Sequence, residues 1–385
     1  MYMDLSKITS YFESENKKSL TKQEIIDSRR AFFLEIKDEF IITGDGSLSL
    51  QFQDTMHSYI GALKERLHAY SIPSKIGERE RLLDICSGFG YNALYAMHHN
   101  PKLEIDMVEK FWEISAVSLI IPIPENYSFL IPQFERLRGA VEHKLHKMGL
   151  IKNCAYENDP SIRLHIGDAE EILSDLKGKY DAIFFDSYKS EVSPELFTIE
   201  FVKLMVDRLD EKGVFLTYLS NYAIRSALSF NVNIGKVDLP LKKVEGTTAS
   251  LSKEETPLDS YEERIIALTE LGVPYRKADC PEDILLNRLQ ERVFMKNRYL
   301  LPSSKRSIVN FEDAFSGNDT NLKKRLEDFG LTNESAEYII CPQKEECICN
   351  KCDRRYGTTS LRIREMRKRI YEIKNFNREA CPYTQ

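Results

Sequence analysis

The sequence predicts a Rossmann-like α/β fold, in which a mostly parallel sheet carries helices on both faces. The first observation is the stretch 81–99, where a short apolar run, two glycines and a helical apolar pattern follow one another. The second is the alternation of strand-like and helix-like segments over residues 81–251. The third is the length of 385 residues, which is enough for about two or three domains with a sizeable core.

Composition fits an ordinary globular protein, because 42% of the residues are hydrophobic and 30% are charged. No apolar run approaches the roughly 20 residues that a membrane span needs. The first residues also lack the basic, apolar and small-residue progression of a signal peptide. We therefore expect a cytoplasmic location and no membrane partner. The net charge of −6 argues against a surface coated with nucleic acid, although a local basic face is compatible with it.

Residues 1–75 are predicted to form a helical and hairpin extension ahead of the main sheet. Helical patterns dominate its first part, and Gly44-Asp45-Gly46 is typical of a hairpin turn between β-prone runs. The following segment contains His57, Ser58 and Glu65, just before the first strand of the main sheet. These polar residues line a substrate pocket in one interpretation and have only structural roles in the other.

The glycine turn points to a particular kind of cofactor. Gly88 and Gly90 follow a strand, as in nucleotide-binding folds, because a ligand must approach the backbone closely there. The third glycine of a dinucleotide fingerprint and the lysine of a phosphate-binding loop are both absent from this turn. Asp84, just before the glycines, favours a cofactor with a cationic group and no phosphate, for which S-adenosylmethionine is the obvious candidate. A purely structural turn is the alternative.

Further acidic residues end the next predicted strands. Glu109 lies about 20 residues beyond the glycines, the spacing at which a carboxylate can hold ribose hydroxyls. Asp168 either accepts a hydrogen bond from an adenine amino group or caps the helix that follows it. Asp186 and Tyr188 follow the strongly apolar run 180–185, at the strand end where open α/β sheets bind their ligands.

Together these segments resemble the methyltransferase part of MnmC, the family that completes 5-methylaminomethyl-2-thiouridine at the wobble position of tRNA. The resemblance covers residues 40–298. The matching segments are 43–47, 57–58, 61–62 with Glu65, 84–94, 108–111, 167–168, 181–186, 193–197, 217–218, Arg225 with Leu228, 246–250 and 272–292. Their combination is far more specific than any single segment.

The resemblance implies an S-adenosylmethionine-dependent N-methyltransferase of class I, which has the Rossmann-like fold. The implied cofactor-binding residues are Asp84, Ser87, Gly88, Gly90, Glu109, Lys110, Asp168, Ala169 and Asp186, and the implied substrate-binding residues are His57, Ser58, Glu65 and Arg225. The implied reaction is in-line attack by a neutral amine nitrogen on the sulfonium methyl group, with most of the rate coming from positioning. Asp186 would orient the amine and accept its proton, directly or through water. Tyr188 would close the pocket or stack on a base.

Three features depart from that family. The chain is too short for a fused flavin oxidase half, so only the transferase activity carries over. Where the family commonly has Asp-Gly-Phe-x-Pro, this chain has Asp-Ser-Tyr-Lys-Ser at 186–190, which alters the pocket rim. A methyltransferase domain at 76–300 is predicted to precede a C-terminal module at 301–385, which has no counterpart in the family. The alternatives are therefore a methyltransferase that acts on a protein or a small amine, and a non-catalytic RNA-binding protein.

Four cysteines lie close together in the C-terminal module. Cys341, Cys347, Cys349 and Cys352 fall within twelve residues, which in a reducing compartment favours a structural zinc site. An iron–sulfur cluster and the absence of any metal are the alternatives. Cys381 is a spare candidate ligand.

A predicted helix rich in arginine follows the cysteines. Its cationic residues are Arg354, Arg355, Arg362, Arg364, Arg367, Lys368 and Arg369, and its apolar residues Leu361, Ile363, Met366, Ile370 and Ile373 are expected to face inward. Because arginine binds phosphate groups bidentately, we predict that this helix docks tRNA. A protein-interaction surface is the rival interpretation, and nothing in the sequence indicates the oligomeric state.

Overall fold

The computed structural model describes residues 4–52, 54–57, 59–239, 244–252, 254–301, 316–318, 320–352 and 355–376. The helices are α1 (Ser6–Glu15), α2 (Lys22–Ile36), α3 (Ala62–Arg66), α4 (Tyr91–His99), α5 (Trp112–Ile120), α6 (Ile131–Lys147), α7 (Ala169–Asp175), α8 (Ile199–Val206), α9 (Tyr222–Ser229), α10 (Ser260–Leu268), α11 (Pro281–Arg298), α12 (Thr320–Asp328), α13 (Asn333–Ile340) and α14 (Thr359–Ile373). The strands are β1 (Phe40–Ile42), β2 (Leu48–Phe52), β3 (Asp54–Thr55), β4 (Arg81–Ile85), β5 (Glu104–Glu109), β6 (Ile162–Ile166), β7 (Tyr180–Phe185), β8 (Leu209–Thr217), β9 (Asn233–Leu239) and β10 (Val244–Ser250).

The main sheet has seven strands in the order β6-β5-β4-β7-β8-β10-β9. Strand β4 pairs in parallel with β5 on one side and with β7 on the other, and β6 and β8 extend this parallel ladder. The predicted α/β fold with a mostly parallel sheet is therefore confirmed. The chain runs outward from β4 through β5 to β6 and then returns to continue from β7 to β8 on the other side of β4. The ligand crevice of such a sheet is expected where the strand order reverses, at the carboxyl ends of β4 and β7.

A smaller antiparallel sheet, β1-β2-β3, precedes the main one. Its first two strands form a hairpin in which Ile42 is opposite Leu48. The turn closes with a hydrogen bond of 2.9 Å from the Thr43 amide to the Ser47 carbonyl oxygen. Gly46 in this turn has a φ angle of +82°, which glycine adopts without strain. The predicted hairpin is confirmed.

A buried ion cluster links the N-terminal helices to α6. Arg29 of α2 is 2% exposed and donates to both oxygens of Glu15 in α1, at 3.1 and 3.2 Å. Its guanidinium also donates to Glu142 of α6, which accepts further hydrogen bonds from the amides of Ala155 and Tyr156. Buried charges are tolerated when they are paired and hydrogen-bonded in this way.

The chain divides into two compact units. The first contains residues 1–192, 207–218 and 237–246, and the second contains residues 193–206, 219–236 and 247–385. These divisions do not coincide with the predicted boundaries after residues 75 and 300. The N-terminal helices pack into the same hydrophobic core as β4 and β5, and the domain bounds predicted from the sequence stay a prediction.

Among the described residues, no single helix is long and apolar enough to cross a membrane. Helix α5 and the segment Glu125–Lys147 pass that test of length and composition only as a pair, with a bend of 108° between them.

Candidate active site

A left-handed turn joins β4 to α4. Gly88 and Gly90 have φ angles of +56° and +81°, in the region that favours glycine. A Cβ atom at Gly90 would lie 2.8 Å from the Leu137 side chain and 3.0 Å from Cε of Met107. At Gly88 the nearest atom would be Cε of Met56, at 3.1 Å. The turn therefore leaves the backbone bare at the carboxyl end of β4, which is what a closely approaching ligand requires.

Asp84 of β4 is fully buried beside this turn. Its Oδ1 accepts a hydrogen bond of 2.9 Å from Nδ2 of Asn92, whereas its Oδ2 has no partner among the described residues. The Ser87 hydroxyl is likewise buried without a partner in that part of the chain. Burial raises the pKa of Asp84 to about 7, Asn92 opposes the shift and the charge of Asp186 adds to it. Because unpaired buried polar atoms are costly, Asp84 and Ser87 fit a ligand with cationic or hydrogen-bonding groups.

Glu109, the last residue of β5, is 8% exposed and contacts the same turn. Its Oε2 accepts a hydrogen bond of 3.0 Å from the Gly88 amide, and its Oε1 accepts one of 3.1 Å from the Phe111 amide. Burial raises the pKa of Glu109, although these backbone hydrogen bonds oppose the shift. A carboxylate has about four acceptor sites, so both oxygens keep capacity for hydroxyl donors. The predicted ribose contact stays a prediction, and Glu109 also shapes the glycine turn.

Three donors hold the Asp186 side chain at the end of β7. The Arg66 guanidinium donates to Oδ2, and Nδ2 of Asn92 lies 3.2 Å from the same oxygen. The Tyr70 hydroxyl lies 3.1 Å from Oδ1 and also 3.1 Å from the Phe185 carbonyl oxygen, so its single proton is shared between these two acceptors. Burial alone would lower the pKa of Arg66, but the adjacent Asp186 carboxylate raises it above its ordinary value. This ion pair fixes the orientation of a carboxylate whose side chain is still 12% exposed.

Arg66 and Tyr70 are candidate functional residues that the sequence analysis missed. Arg66 ends α3, and Tyr70 lies on the π-helical turn Leu67–Ser71 that continues this helix. Residues four apart share a helix face, and Arg66 directly follows Glu65, which was predicted to line the pocket. The signal available in the sequence was a charged residue, Arg66, next to Glu65, followed four positions later by Tyr70 on the same helix face.

The loop at 43–47 fixes the start of α3. The side chains of Thr43, Asp45 and Ser47 accept hydrogen bonds from the first three backbone amides of this helix, at 2.8 to 3.2 Å. These amides have no acceptor within a helix. A Cβ atom at Gly61 would lie 2.5 Å from Asp45, so this approach requires glycine. The loop is therefore more than a hairpin turn, because it caps the helix that carries Arg66.

Other predicted cofactor-binding residues are more exposed. Asp168 caps α7 by accepting a hydrogen bond of 2.9 Å from the Glu170 amide, as the capping alternative predicts. This bond uses Oδ1 and leaves Oδ2 available for an adenine amino group. Ala169 is half-buried and Lys110 is exposed, and Tyr188, which was predicted to act in catalysis, is half-buried. Their roles stay predictions.

His57 is 9% exposed and lies among aromatic rings. Its Nδ1 is 3.1 Å from the Ser49 hydroxyl, and its ring centroid is 5.4 Å from that of Tyr91. These contacts favour the structural interpretation of this histidine. Ser58 lies outside the described residues. Glu65 is 5% exposed and its carboxylate lies 3.9 Å from the Arg66 guanidinium.

Arg225, a predicted substrate-binding residue, belongs to the second unit and is 1% exposed. Its Nε donates to the Thr247 hydroxyl at 3.0 Å, and its Nη1 donates to Glu262 at 2.6 Å. Both partners lie in the same unit. The guanidinium thus takes part in a buried ion pair, and a contact with substrate stays a prediction.

The structure corrects the interpretation of the arginine-rich helix, α14. Arg367 is 5% exposed and donates to the Ser226 hydroxyl at 3.1 Å and to the Gly272 carbonyl oxygen at 3.2 Å. Arg369 is 1% exposed and donates to the Tyr338 carbonyl oxygen at 2.6 Å. The prediction that these side chains face phosphate groups is wrong, because both are buried and donate to backbone and hydroxyl oxygens of the same unit.

The rest of α14 is mixed. Arg362 forms an ion pair with buried Glu263, so it too has a structural partner. Leu361, expected to face inward, is 41% exposed. The cationic residues that are exposed are Arg355, Arg364 and Lys368. Arg354 and Cys381 lie outside the described residues.

Four thiols lie together between α13 and α14. The sulfur atoms of Cys341, Cys347, Cys349 and Cys352 are all within 4.8 Å of one another, and this group could hold a metal ion. All four cysteines are free of disulfide bonds.

Comparison with known proteins agrees with the fold. Residues 133–252 match the family described as S-adenosyl-L-methionine-dependent methyltransferase. An uncharacterized protein of Methanocaldococcus jannaschii is 34% identical over 263 residues, which make up 65% of this chain and 71% of that protein. The crystal structure of MnmC2 from Aquifex aeolicus is similar with a TM-score of 0.52 and 25% identity, over 76% of this chain and 100% of that chain. The chain therefore belongs to the MnmC-like family of S-adenosyl-L-methionine-dependent methyltransferases.

Proposed function

We propose that this methyltransferase acts on the aminomethyl nitrogen of a modified wobble uridine in tRNA. The observation that carries the proposal is the Asp186 carboxylate, which Arg66, Tyr70 and Asn92 hold at the end of β7. Asn92 also binds the buried Asp84, so one amide connects the two carboxylates. The similarity to MnmC2 over 100% of that chain supports the substrate class.

The residues around the glycine turn fit the cofactor. S-Adenosylmethionine, when bound, supplies an electrophilic methyl group on a sulfonium centre. Oδ2 of Asp84 would accept hydrogen bonds from its ammonium group, and the buried Ser87 hydroxyl would bind polar atoms of the same amino-acid end. Glu109 would accept hydrogen bonds from the ribose hydroxyls. Asp168 would accept one from the adenine amino group.

Asp186 is the residue that we assign to the substrate amine. The nucleophile must be a neutral amine, because an ammonium ion has no lone pair. These donors use at most three of the about four acceptor sites on a carboxylate, which leaves at least one site for an amine N–H. Binding that N–H fixes the direction of the nitrogen lone pair, and positioning of this kind is worth several orders of magnitude in rate.

The proton released by the amine would pass to Asp186, directly or through water. Hydrogen bonds from its neighbours hold this carboxylate in one orientation as an acceptor. We therefore assign it the orientation of the amine first and the removal of the proton second. Tyr188 would cover the pocket or stack on the base, because it lies two residues beyond Asp186 and is half-buried.

Methyl transfer to RNA tests the proposal directly. Purified enzyme is incubated with S-adenosylmethionine that carries a radiolabelled methyl group and with tRNA that carries the unmethylated aminomethyl group. We expect label in a 5-methylaminomethyluridine-type nucleoside after digestion and chromatography. The matched control is tRNA that is already methylated at this position, which should take up no label.

Two results would overturn the substrate assignment. Label in a protein or a small amine would show a methyltransferase with another substrate. Tight cofactor binding without any transfer would support a non-catalytic RNA-binding protein. The cytoplasmic location also stays a prediction, and fractionation of cells that express the tagged protein would test it.

A further inference from the structure

The four thiols beyond α13 have the spacing of ligands around one ion. The sulfur of Cys352 lies 3.5 Å from those of Cys341 and Cys349 and 3.6 Å from that of Cys347. The sulfur of Cys347 lies 3.7 Å from that of Cys349 and 3.8 Å from that of Cys341. These separations are nearly equal. Two disulfide bonds would instead require two pairs of sulfurs that are much closer together than the rest.

Geometry favours a single ion over a cluster. Four thiolates at about 2.3 Å from a tetrahedral zinc ion place the sulfurs about 3.8 Å apart. In an iron–sulfur cluster the cysteines bind two or four different irons, so that at least some thiolates are separated by the width of the cluster. The sulfurs here all lie within 4.8 Å of one another. The iron–sulfur alternative left open by the sequence is therefore disfavoured.

A cationic side chain contacts the thiols. Four thiolates around a divalent ion leave a net charge of −2, which needs nearby positive charge in a partly buried site. Arg369 is 1% exposed and interacts with the Cys352 thiol. Its guanidinium also forms an ion pair with Glu365 and lies 4.5 Å from the Tyr338 ring centroid. The arrangement therefore supplies compensating charge beside the ligands.

The cysteine segment is also tied to helix α10 of the same unit. Gln343, two residues after Cys341, donates to Glu263 at 2.7 Å and accepts from Nε of Arg264 at 2.7 Å. On the other side of the thiols, Arg362 of α14 forms an ion pair with the same Glu263. An ion that holds the thiols would therefore also hold Gln343 and Arg362, which contact α10 from the two sides of the cysteine segment.

We propose that Cys341, Cys347, Cys349 and Cys352 bind one structural zinc ion, which holds α13 and α14 in register with α10. Four protein ligands complete a tetrahedron and leave no position for water or substrate, so the ion has no catalytic role. Since the site lies wholly in the second unit, the proposal does not depend on the identity of the methyl acceptor.

Metal analysis of the full-length protein tests the proposal without any activity assay. The chain is purified under reducing conditions and its metals are measured by mass spectrometry. We expect about one zinc ion per chain. Exchange with Co²⁺ should give the visible absorption and the thiolate charge-transfer bands of a tetrahedral tetrathiolate site. Iron, with or without acid-labile sulfide, or only trace metal would overturn the proposal.

A pair of variants separates ligation from general effects of losing a cysteine. Cys349→Ser combined with Cys352→Ser should lose the ion and lower the midpoint of thermal unfolding. Cys280→Ser is the control, because Cys280 is a free thiol of the same unit at the N-cap of α11, where serine is tolerated well. Retention of zinc by the double variant would contradict the assignment. If the double variant does not fold, the zinc content and Co²⁺ spectrum of the wild-type chain still decide.

Discussion

Buried charges serve different purposes in the pocket and in helix α14. In the pocket, Oδ2 of Asp84 and the hydroxyl of Ser87 are buried without a hydrogen-bond partner among the described residues. In α14, Arg367 and Arg369 are similarly buried, but they donate to carbonyl, hydroxyl and carboxylate oxygens of their own unit. An unpaired buried group is costly. Burial alone therefore does not mark a binding residue, and Asp84 and Ser87 are candidates because their unpaired atoms also lie beside the glycine turn.

Asp186 has hydrogen-bond partners within the chain, as the arginines of α14 do. Its side chain is nevertheless 12% exposed, so a ligand can reach it. We expect Asp186→Asn to lower kcat by about 10²- to 10⁴-fold, because the amide has lost the negative charge that orients the amine and takes its proton. The affinity for S-adenosylhomocysteine should change little. Single-turnover methyl transfer and calorimetric titration measure the two quantities.

Asp175→Asn is the matched control for this substitution. Asp175 is an exposed carboxylate at the end of α7, so both kcat and cofactor affinity should equal those of the wild type. If Asp186→Asn instead lost cofactor affinity and turnover to the same extent, Asp186 would be a cofactor ligand and not the residue that orients the amine.

On the other side of the comparison, Arg367→Met should affect stability. It leaves the carbonyl oxygens of Ile266 and Gly272 without this donor, and we expect a loss of about 2–4 kcal/mol in the free energy of unfolding. Lys368→Met on the same helix is the control, since Lys368 is exposed and makes only surface ion pairs with Glu365 and Glu372, so it should change this free energy by less than about 0.5 kcal/mol. Urea denaturation measures both. A stable Arg367→Met protein that no longer binds tRNA would reinstate the docking interpretation for this residue.

Much of the fold could be predicted from the sequence, because strand and helix patterns indicate directly which residues are buried. The glycine turn and the apolar run at 180–185 placed Asp84 and Asp186 at the carboxyl ends of adjacent strands, where the structure has them. The partners of Asp186 were not predictable in this way. Arg66 and Tyr70 lie 120 and 116 residues before it in the chain, so their contacts arise only from tertiary packing.

The arginines of α14 show the opposite difficulty. Their spacing was visible in the sequence, but an arginine at a given position can donate equally well to phosphate, carboxylate or carbonyl oxygen. Only the packing of the second unit reveals that Arg367 meets the carbonyl oxygens of Ile266 and Gly272. Charge patterns therefore predicted the presence of donors and not the identity of their acceptors.

The raised pKa of Asp84 gives the pocket a pH dependence. Its carboxyl has a pKa of about 7 in the folded protein without ligand, chiefly because of burial. The cationic end of the cofactor should bind the ionised form, so affinity should increase as the pH rises towards about 7 and then level off. Below that pH we expect the affinity to fall by up to about tenfold per pH unit. Titrations with S-adenosylhomocysteine over pH 5.5–8.5 measure it.

Asp84→Asn provides the control, because its affinity should be lower and independent of pH in this range. Stability without ligand should change in the opposite direction. A carboxyl whose pKa is raised on folding stabilises the protein below its unfolded pKa, and this contribution is lost as the pH rises through about 7. The wild type should therefore lose stability relative to Asp84→Asn between about pH 4 and pH 7. Parallel pH profiles of the two proteins would contradict the assignment of the shift to Asp84.

The smallest effect is expected from the exposed cations of the C-terminal segment. Arg355, Arg364 and Lys368 are the exposed cationic residues among those described at 355–369, although Arg364 donates to the Phe230 carbonyl oxygen and Lys368 pairs with Glu365 and Glu372. Replacing all three by alanine should weaken tRNA binding about threefold to tenfold and reduce the dependence of log Kd on log salt by about 1 to 2. Fluorescence anisotropy at several salt concentrations measures both, with Lys22, Lys152 and Lys177 replaced together as the control. Equal affinities and salt slopes for the two triple variants would show that tRNA docks elsewhere, and that the charges of α14 serve only the packing of its own unit.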